Sequence, residues 1–186
     1  LSDYAVRSTS ERMRLFDLNG SIHQMEAENL TFNDGTFDFV WSWGVIHHAS
    51  DPRRVLKEAH RVLKPGGTMV TMVYHRNFWN YYVARGLFYG IFAGDLFKTR
   101  SLHEIVQRTT DGALARFYSI SEWTHMVQEY FTAQRILIFG SKAEVVPLRG
   151  GRLKDAVVGL IPSGFSRLLT NRLKLGSYLV SFLRKA

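Results

Sequence analysis

The sequence has no cysteine among its 186 residues. That excludes a disulfide framework and a thiolate metal site, and it fits a reducing compartment such as the cytoplasm. The residues that follow Leu1 carry no basic segment leading into a short apolar run, the pattern of a secretory signal. Nor is there an unbroken stretch of about 20 apolar residues for a membrane span. The most apolar region, 77–97, is interrupted by Asn77, Asn80, Arg85 and Asp95. Internal repeats, low-complexity runs and long linkers are absent as well. Acidic residues are in deficit, 16 against 24 Lys and Arg, which leaves a formal net charge of +8. Such an excess suits a soluble basic protein or a face for anionic substrates or membranes. No recognised nucleic-acid motif accompanies it, so nucleic acid is not expected as a partner.

What is present is ordinary globular composition, 46% hydrophobic and 22% charged, at a length that supports one domain with a real core. The chain is organised around residues 32–74. Asp34-Gly35 is a turn signal, and Phe37 to Trp43 is a short apolar and aromatic run that reads as a buried strand. Asp51 is placed to cap a helix with Pro52 at its first position. Val55, Leu56, Ala59, Val62 and Leu63 then recur at helical spacing, and Lys64 puts a cation at the end that the helix dipole favours. Pro65-Gly66-Gly67 stops the helix and leads into a second buried strand, Thr68–Tyr74. Strand, helix, turn and strand make a βαβ unit, and so a parallel sheet.

The order of these pieces resembles the middle of a class I S-adenosylmethionine (SAM) dependent methyltransferase of the small-molecule branch. Glu26-Ala27, Phe37-Asp38, His47-His48, Asp51-Pro52 and Arg61-Val62-Leu63-Lys64-Pro65-Gly66-Gly67 carry the resemblance, which covers roughly residues 1–75. It implies a Rossmann-like α/β sheet with a helical lid insertion and an antiparallel final hairpin. It implies methyl transfer from SAM to a small-molecule acceptor, with no metal. Leu1-Ser2-Asp3 is similar to the end of the family's second strand, and no G-x-G-x-G loop occurs in these residues. The expectation is therefore a sheet incomplete at its N-terminus and a C-terminal piece of a longer protein, inactive alone. The contrasting reading is a binding module with a methyltransferase fold and no catalysis.

The resemblance also nominates site residues. Leu1, Glu26, Ala27, Ser42, Trp43, Gly44 and His47 fall where the family holds its cofactor, with Glu26 facing the adenine amino group and Gly44 permitting close approach. His47, His48, Tyr74 and His75 are candidates for a general base, which is needed only where the acceptor must lose a proton. Neighbouring histidines point apart and no close-spaced ligands complete a set, so the His pair does not read as a metal site.

The remaining elements read as a helix over 4–18, a short strand at 21–25, a helix over 101–107, and a helix starting near Ser119 or Ser121. A strand follows at 135–140 and a last strand at 177–183. Within a single domain over 1–186, residues 1–75 form the cofactor-binding part, 76–118 the lid and 119–186 the C-terminal part. The lid is rich in aromatics, including Phe78, Trp79, Tyr81, Tyr82, Phe88, Tyr89, Phe92 and Phe97, which suits an apolar or ring-bearing acceptor. Gly86, Gly90 and Gly94 offer a face for close helix packing. The tail, with Phe165, Leu168, Leu169 and Leu173 among basic residues, packs on the domain with its charges solvated or lies on an anionic membrane surface. Packing on the domain is the preferred expectation.

Overall fold

The protein was analysed as a computed structural model, which describes residues 2–89, 91, 94, 101–108, 110, 114–148 and 151–186. Helix α1 spans Asp3–Leu15, capped by the Ser2 hydroxyl, and buries none of its residues. Strand β1 is Phe37–Trp43, helix α2 Pro52–Val62 and strand β2 Leu63–His75. A π-type helix α3 covers Phe78–Tyr89, and α4 covers Leu102–Arg108. Then come β3 (Phe117–Tyr118), α5 (Ile120–Gln128), β4 (Thr132–Phe139), α6 (Arg152–Leu160), α7 (Ser163–Arg167, continued by a π turn Leu168–Arg172) and β5 (Tyr178–Arg184).

The sheet runs β1-β2-β5-β4. β1 is parallel to β2, and β5 is antiparallel to both β2 and β4. The expected α/β sheet with a reversed final hairpin is therefore what forms. β3 pairs with β2 at Tyr74 and His75, on the edge that β1 vacates after Trp43 meets Met72. The ligand-prone edge of the sheet is thus crowded by a strand arriving from beyond the lid.

Asp51 accepts from the backbone N–H groups of Arg53 (3.0 Å) and Arg54 (3.2 Å), which starts α2 where the sequence places it. Its face of Val55, Leu56 and Ala59 packs on Met69 and Val73 of β2, Leu179 and Leu183 of β5, and Trp123 and Val127 of α5. Trp123 is fully buried and donates from Nε1 to the Ser181 hydroxyl at 2.8 Å. Ser119 caps α5 through a reciprocal pair with Glu122.

The structure differs from expectation in several details. β1 is not the buried strand that its apolar run suggests: none of its residues is buried, and Phe39, Trp41 and Trp43 are exposed. Lys64 does not serve the helix end: α2 stops at Val62, and the Lys64 ammonium takes both carboxylate oxygens of Asp38 at 2.9 Å. The Pro65-Gly66-Gly67 turn becomes a bulge inside β2, because Phe37 pairs with Leu63 whereas Phe39 pairs with Thr68. Gly66 adopts φ 76°, open to glycine and costly to other residues.

No strand forms at 21–25. A strand needs a neighbour for its N–H and C=O groups, and no described strand lies alongside these residues. The irregular segment is held by side chains instead. The Arg61 guanidinium donates to the Phe32 carbonyl (2.8 Å), the Leu30 carbonyl (2.8 Å), the Asp34 carboxylate (2.7 Å) and Glu58 (2.8 Å). In the lid, a side chain at Gly86 would meet the Tyr81 carbonyl at 3.2 Å and Leu102 at 3.4 Å, so this glycine lets α3 approach α4. Gly90, Phe92, Asp95, Phe97, Arg149 and the Asp111-Gly112 turn lie outside the described residues. Among the described residues, no helix is long and apolar enough to cross a membrane.

Candidate functional site

At the end of β1 the chain must turn sharply. Gly44 does so with φ 74°, and its N–H remains bonded to the Met72 carbonyl at 3.2 Å. A single turn of 3-10 helix, Ile46–His48, follows. Ile46 enters the main core, which swings both histidine rings to the end of β2. The Arg116 N–H donates to the His47 carbonyl at 2.9 Å, and the Arg116 guanidinium holds the carbonyls of Ala49 and Ser50. The turn is therefore clamped between β2 and the segment that leads into β3.

His47 is fully buried, and neither ring nitrogen has a hydrogen-bond partner. Its ring lies tilted by 35° against Tyr74, with centroids 3.9 Å apart, and Tyr74 in turn stacks on Phe117 at 5.3 Å. Burial, with the neighbouring His48 adding to it, pushes the His47 pKa down from 6.5 to about 3. At neutral pH it is an uncharged ring in an aromatic stack. His48 differs. Its Nδ1 lies 2.6 Å from the Leu114 carbonyl oxygen, which only accepts, so Nδ1 carries a proton and, of the two neutral tautomers, the one with its lone pair on Nε2 is selected. His48 is half-buried, and this fixed tautomer makes it the better-placed proton acceptor of the two.

The other nominated residues divide. His75 is buried with Nδ1 2.9 Å from the Gly176 carbonyl. Burial lowers its pKa, partly offset by that carbonyl. Asn77 donates to the same carbonyl at 3.1 Å, so His75 fastens the 176–177 segment to the end of β2. Tyr74 and His75 are successive strand residues and face opposite sides of the sheet; only Tyr74 joins the histidine pair. Glu26 is exposed and opens a turn in which its carbonyl accepts from Asn29. Ala27 packs against the main core, and Glu28 accepts from the Asp51 N–H, which ties this turn to the start of α2. Ser42 is half-buried, and Trp43 is exposed on the sheet face opposite the main core, stacked at 5.0 Å on Trp41. Leu1 lies outside the described residues.

Sequence reasoning missed the contribution of 114–117. Leu114, Arg116 and Phe117 complete the surroundings of the histidine pair from 66 or more residues away, and no local signal announces that contact. It also missed an apolar cleft of about 290 Å³ lined by Trp79, Glu144, Val145, Leu169, Thr170 and Leu175. Among the described residues, no group of three His, Asp or Glu side chains is placed to hold a metal ion.

Residues 1–71 match the family described as "Methyltransferase domain". The solved structure of a SAM-dependent methyltransferase from Thermotoga maritima, a possible histamine N-methyltransferase, superposes with a TM-score of 0.53 at 20% identity, over 96% of this chain and 70% of that one. The fold is that of a class I methyltransferase. The [4+2]-cyclase SpnF superposes with a TM-score of 0.59 at 17% identity, over 99% of this chain and 63% of that one. The same fold therefore also carries a protein named for other chemistry, and function has to be argued from the site. Among curated relatives, the sarcosine/dimethylglycine N-methyltransferase of Halorhodospira halochloris is 46% identical over 43 residues, 23% of this chain and 15% of that protein. The chain spans between 15% and 31% of the length of the curated relatives it matches.

Proposed function

We propose that this chain contributes the acceptor side of a cytoplasmic SAM-dependent methyltransferase acting on a small molecule. The observation that carries the reading is the clamped turn after β1. The stretch that matches the methyltransferase family leaves the sheet at Gly44 and delivers His48, its Nδ1 held by the Leu114 carbonyl, to the edge where open α/β sheets bind ligands.

The residues present fit part of SAM. The exposed Glu26 carboxylate suits an adenine amino group, the Ala27 N–H an adenine ring nitrogen, and Ser42, Trp43 and Gly44 the methionine portion; His47, fully buried, offers no surface to it. When bound, SAM supplies a methyl group on an activated sulfonium. What remains for the protein is alignment, exclusion of water and, for an acidic acceptor, proton removal. His48 takes that proton at Nε2. Beside it the fully buried, uncharged His47 ring packs against Tyr74. The aromatic lid and the cleft beside Trp79 favour an acceptor with an apolar or ring-bearing body.

Calorimetry with SAM, on this chain and on a version extended upstream in its native reading frame, tests the reading. Micromolar binding, about −8 kcal/mol, by the extended protein supports it, and methyl release to candidate acceptors follows. Absence of binding by both leaves the non-catalytic binding module.

A further inference from the structure

Helices α6 and α7, with the π turn that continues α7, half-bury Val157, Val158 and Leu169 but show most of their large apolar residues to the outside. In α6 none of the nine residues is buried. Leu153 and Leu160 stand at positions i and i+7 of one face, with Ala156 between them, and are 70% and 84% exposed. In α7 and the π turn that continues it, the buried positions are the hydroxyl residues Ser166 and Thr170. The large apolar residues Phe165 and Leu168 are 52% and 42% exposed, and Leu173 just beyond is exposed as well. The inward hydroxyls need no other partner: Ser166 donates to the Ser163 carbonyl at 3.0 Å and Thr170 to the Ser166 carbonyl at 2.9 Å. An arrangement that satisfies its polar groups internally and shows its leucines and phenylalanine outward matches an apolar exterior.

Charge says which exterior. Residues 151–175 contain Arg152, Lys154, Arg167, Arg172 and Lys174 against a single acid, Asp155, so this stretch alone contributes half of the net charge of +8. Exposed apolar side chains among cations on two short helices, neither long enough to span a bilayer, are the pattern of a segment lying in the headgroup region. We propose that residues 151–175 seat this protein on an anionic phospholipid surface. Leu153, Leu160, Phe165, Leu168 and Leu173 enter the boundary of the acyl region, and the five basic side chains meet the headgroups. The inference is independent of methyl transfer. It revises the expectation that the tail packs on the domain.

The test is flotation of the full chain with vesicles of phosphatidylcholine, alone or with about one third phosphatidylglycerol, followed by the same measurement on Leu153→Glu/Leu160→Glu and on Arg167→Gln/Arg172→Gln. Both pairs sit on exposed positions, and circular dichroism checks that the fold persists. Expected is binding to the anionic vesicles that weakens strongly in 0.5 M salt. Leu153→Glu/Leu160→Glu should lose it at least tenfold, and Arg167→Gln/Arg172→Gln should weaken it by about fivefold per charge. Equal binding to neutral and anionic vesicles, or binding that survives Leu153→Glu/Leu160→Glu, overturns the proposal. So does concentration-dependent self-association without lipid that the same pair abolishes, because the face is then a contact between copies of this chain.

Discussion

The Nδ1 of His48 sits 2.6 Å from the carbonyl oxygen of Leu114, a bond that spans 66 residues of sequence and decides which nitrogen of the ring is basic. The carbonyl has no proton to give, so Nδ1 donates, and in the neutral ring Nε2 is the nitrogen that accepts. An asparagine at the same position reproduces the Nδ1 donor and removes Nε2. In the upstream-extended protein, His48→Asn is expected to retain melting temperature and SAM affinity. Its transfer rate to an acceptor that loses a proton should fall by about 10²–10⁴-fold. An unchanged rate removes His48 from the chemistry.

His47 carries a cost that pH exposes. Its folded pKa is about 3 and its unfolded value 6.5, so between these values the unfolded chain binds the proton and the folded one does not. Stability is therefore complete above about pH 6.5 and declines as pH falls toward 3, with a slope of about 1.4 kcal/mol per pH unit from this group in mid-window. His75 and His60, also depressed by burial, act in the same direction. His47→Phe keeps an aromatic ring against Tyr74 and removes two buried nitrogens without partners. It is expected to be at least as stable as the wild type at pH 7, by up to about 1–3 kcal/mol. In urea melts at pH 5 the difference should widen. A variant less stable at pH 5 than the wild type contradicts the unpartnered state of the ring.

Arg61 holds residues 30–34 against α2 through two backbone carbonyls and two carboxylates. Its hydrogen bonds also lower the pKa of Glu58, whose carboxylate accepts from the Leu30 N–H at 2.9 Å. A lysine keeps the charge but not the planar fork that reaches several acceptors at once. Limited proteolysis of Arg61→Lys should cut within 30–36 on the order of tenfold faster than the wild type, with the melting transition of the sheet little changed. Equal cleavage means that the segment is held by something else.

The βαβ core was legible because its signals are local. The Asp51 cap, the helical spacing from Val55 to Val62 and the apolar runs of β1 and β2 each state their own conformation, and the structure follows them in order, although β1 is not buried and the turn glycines become a bulge inside β2. What was not legible depends on partners distant in sequence. Residues 21–25 carry only a weak strand signal, and a strand exists only where another supplies the ladder. Lys64 looks like a helix-end cation until Asp38, 26 residues earlier, is brought beside it. His47 and His48 are adjacent and chemically identical in the sequence. Only the arrival of Leu114 and Tyr74 distinguishes them: His48 gains a carbonyl partner at Nδ1, and His47 is buried against Tyr74 with no partner at either nitrogen. In the tail the sequence pattern does not say which residues turn inward: Ser166 and Thr170 are buried and Leu169 is half-buried, whereas Phe165, Leu168 and Leu173 are exposed.

The buried bond from Trp123 to Ser181 offers a test of how tightly α5 is locked to β5. Both side chains are fully buried, and the indole N–H is 2.8 Å from the hydroxyl oxygen. Trp123→Phe removes the donor and part of the packing against Tyr118, whose ring centroid is 5.2 Å away. The Ser181 hydroxyl is then left in the core with its partner gone, which costs about 1–3 kcal/mol beyond the lost packing. Ser181→Ala alone strands the indole N–H in the same way. Changing both residues leaves no orphan, so the double variant should be less destabilised than the sum of the two single ones by about 0.5–3 kcal/mol. Chemical denaturation of the four proteins measures this directly. Strict additivity means that the two groups do not depend on each other, and the lock between α5 and β5 then rests on apolar packing alone.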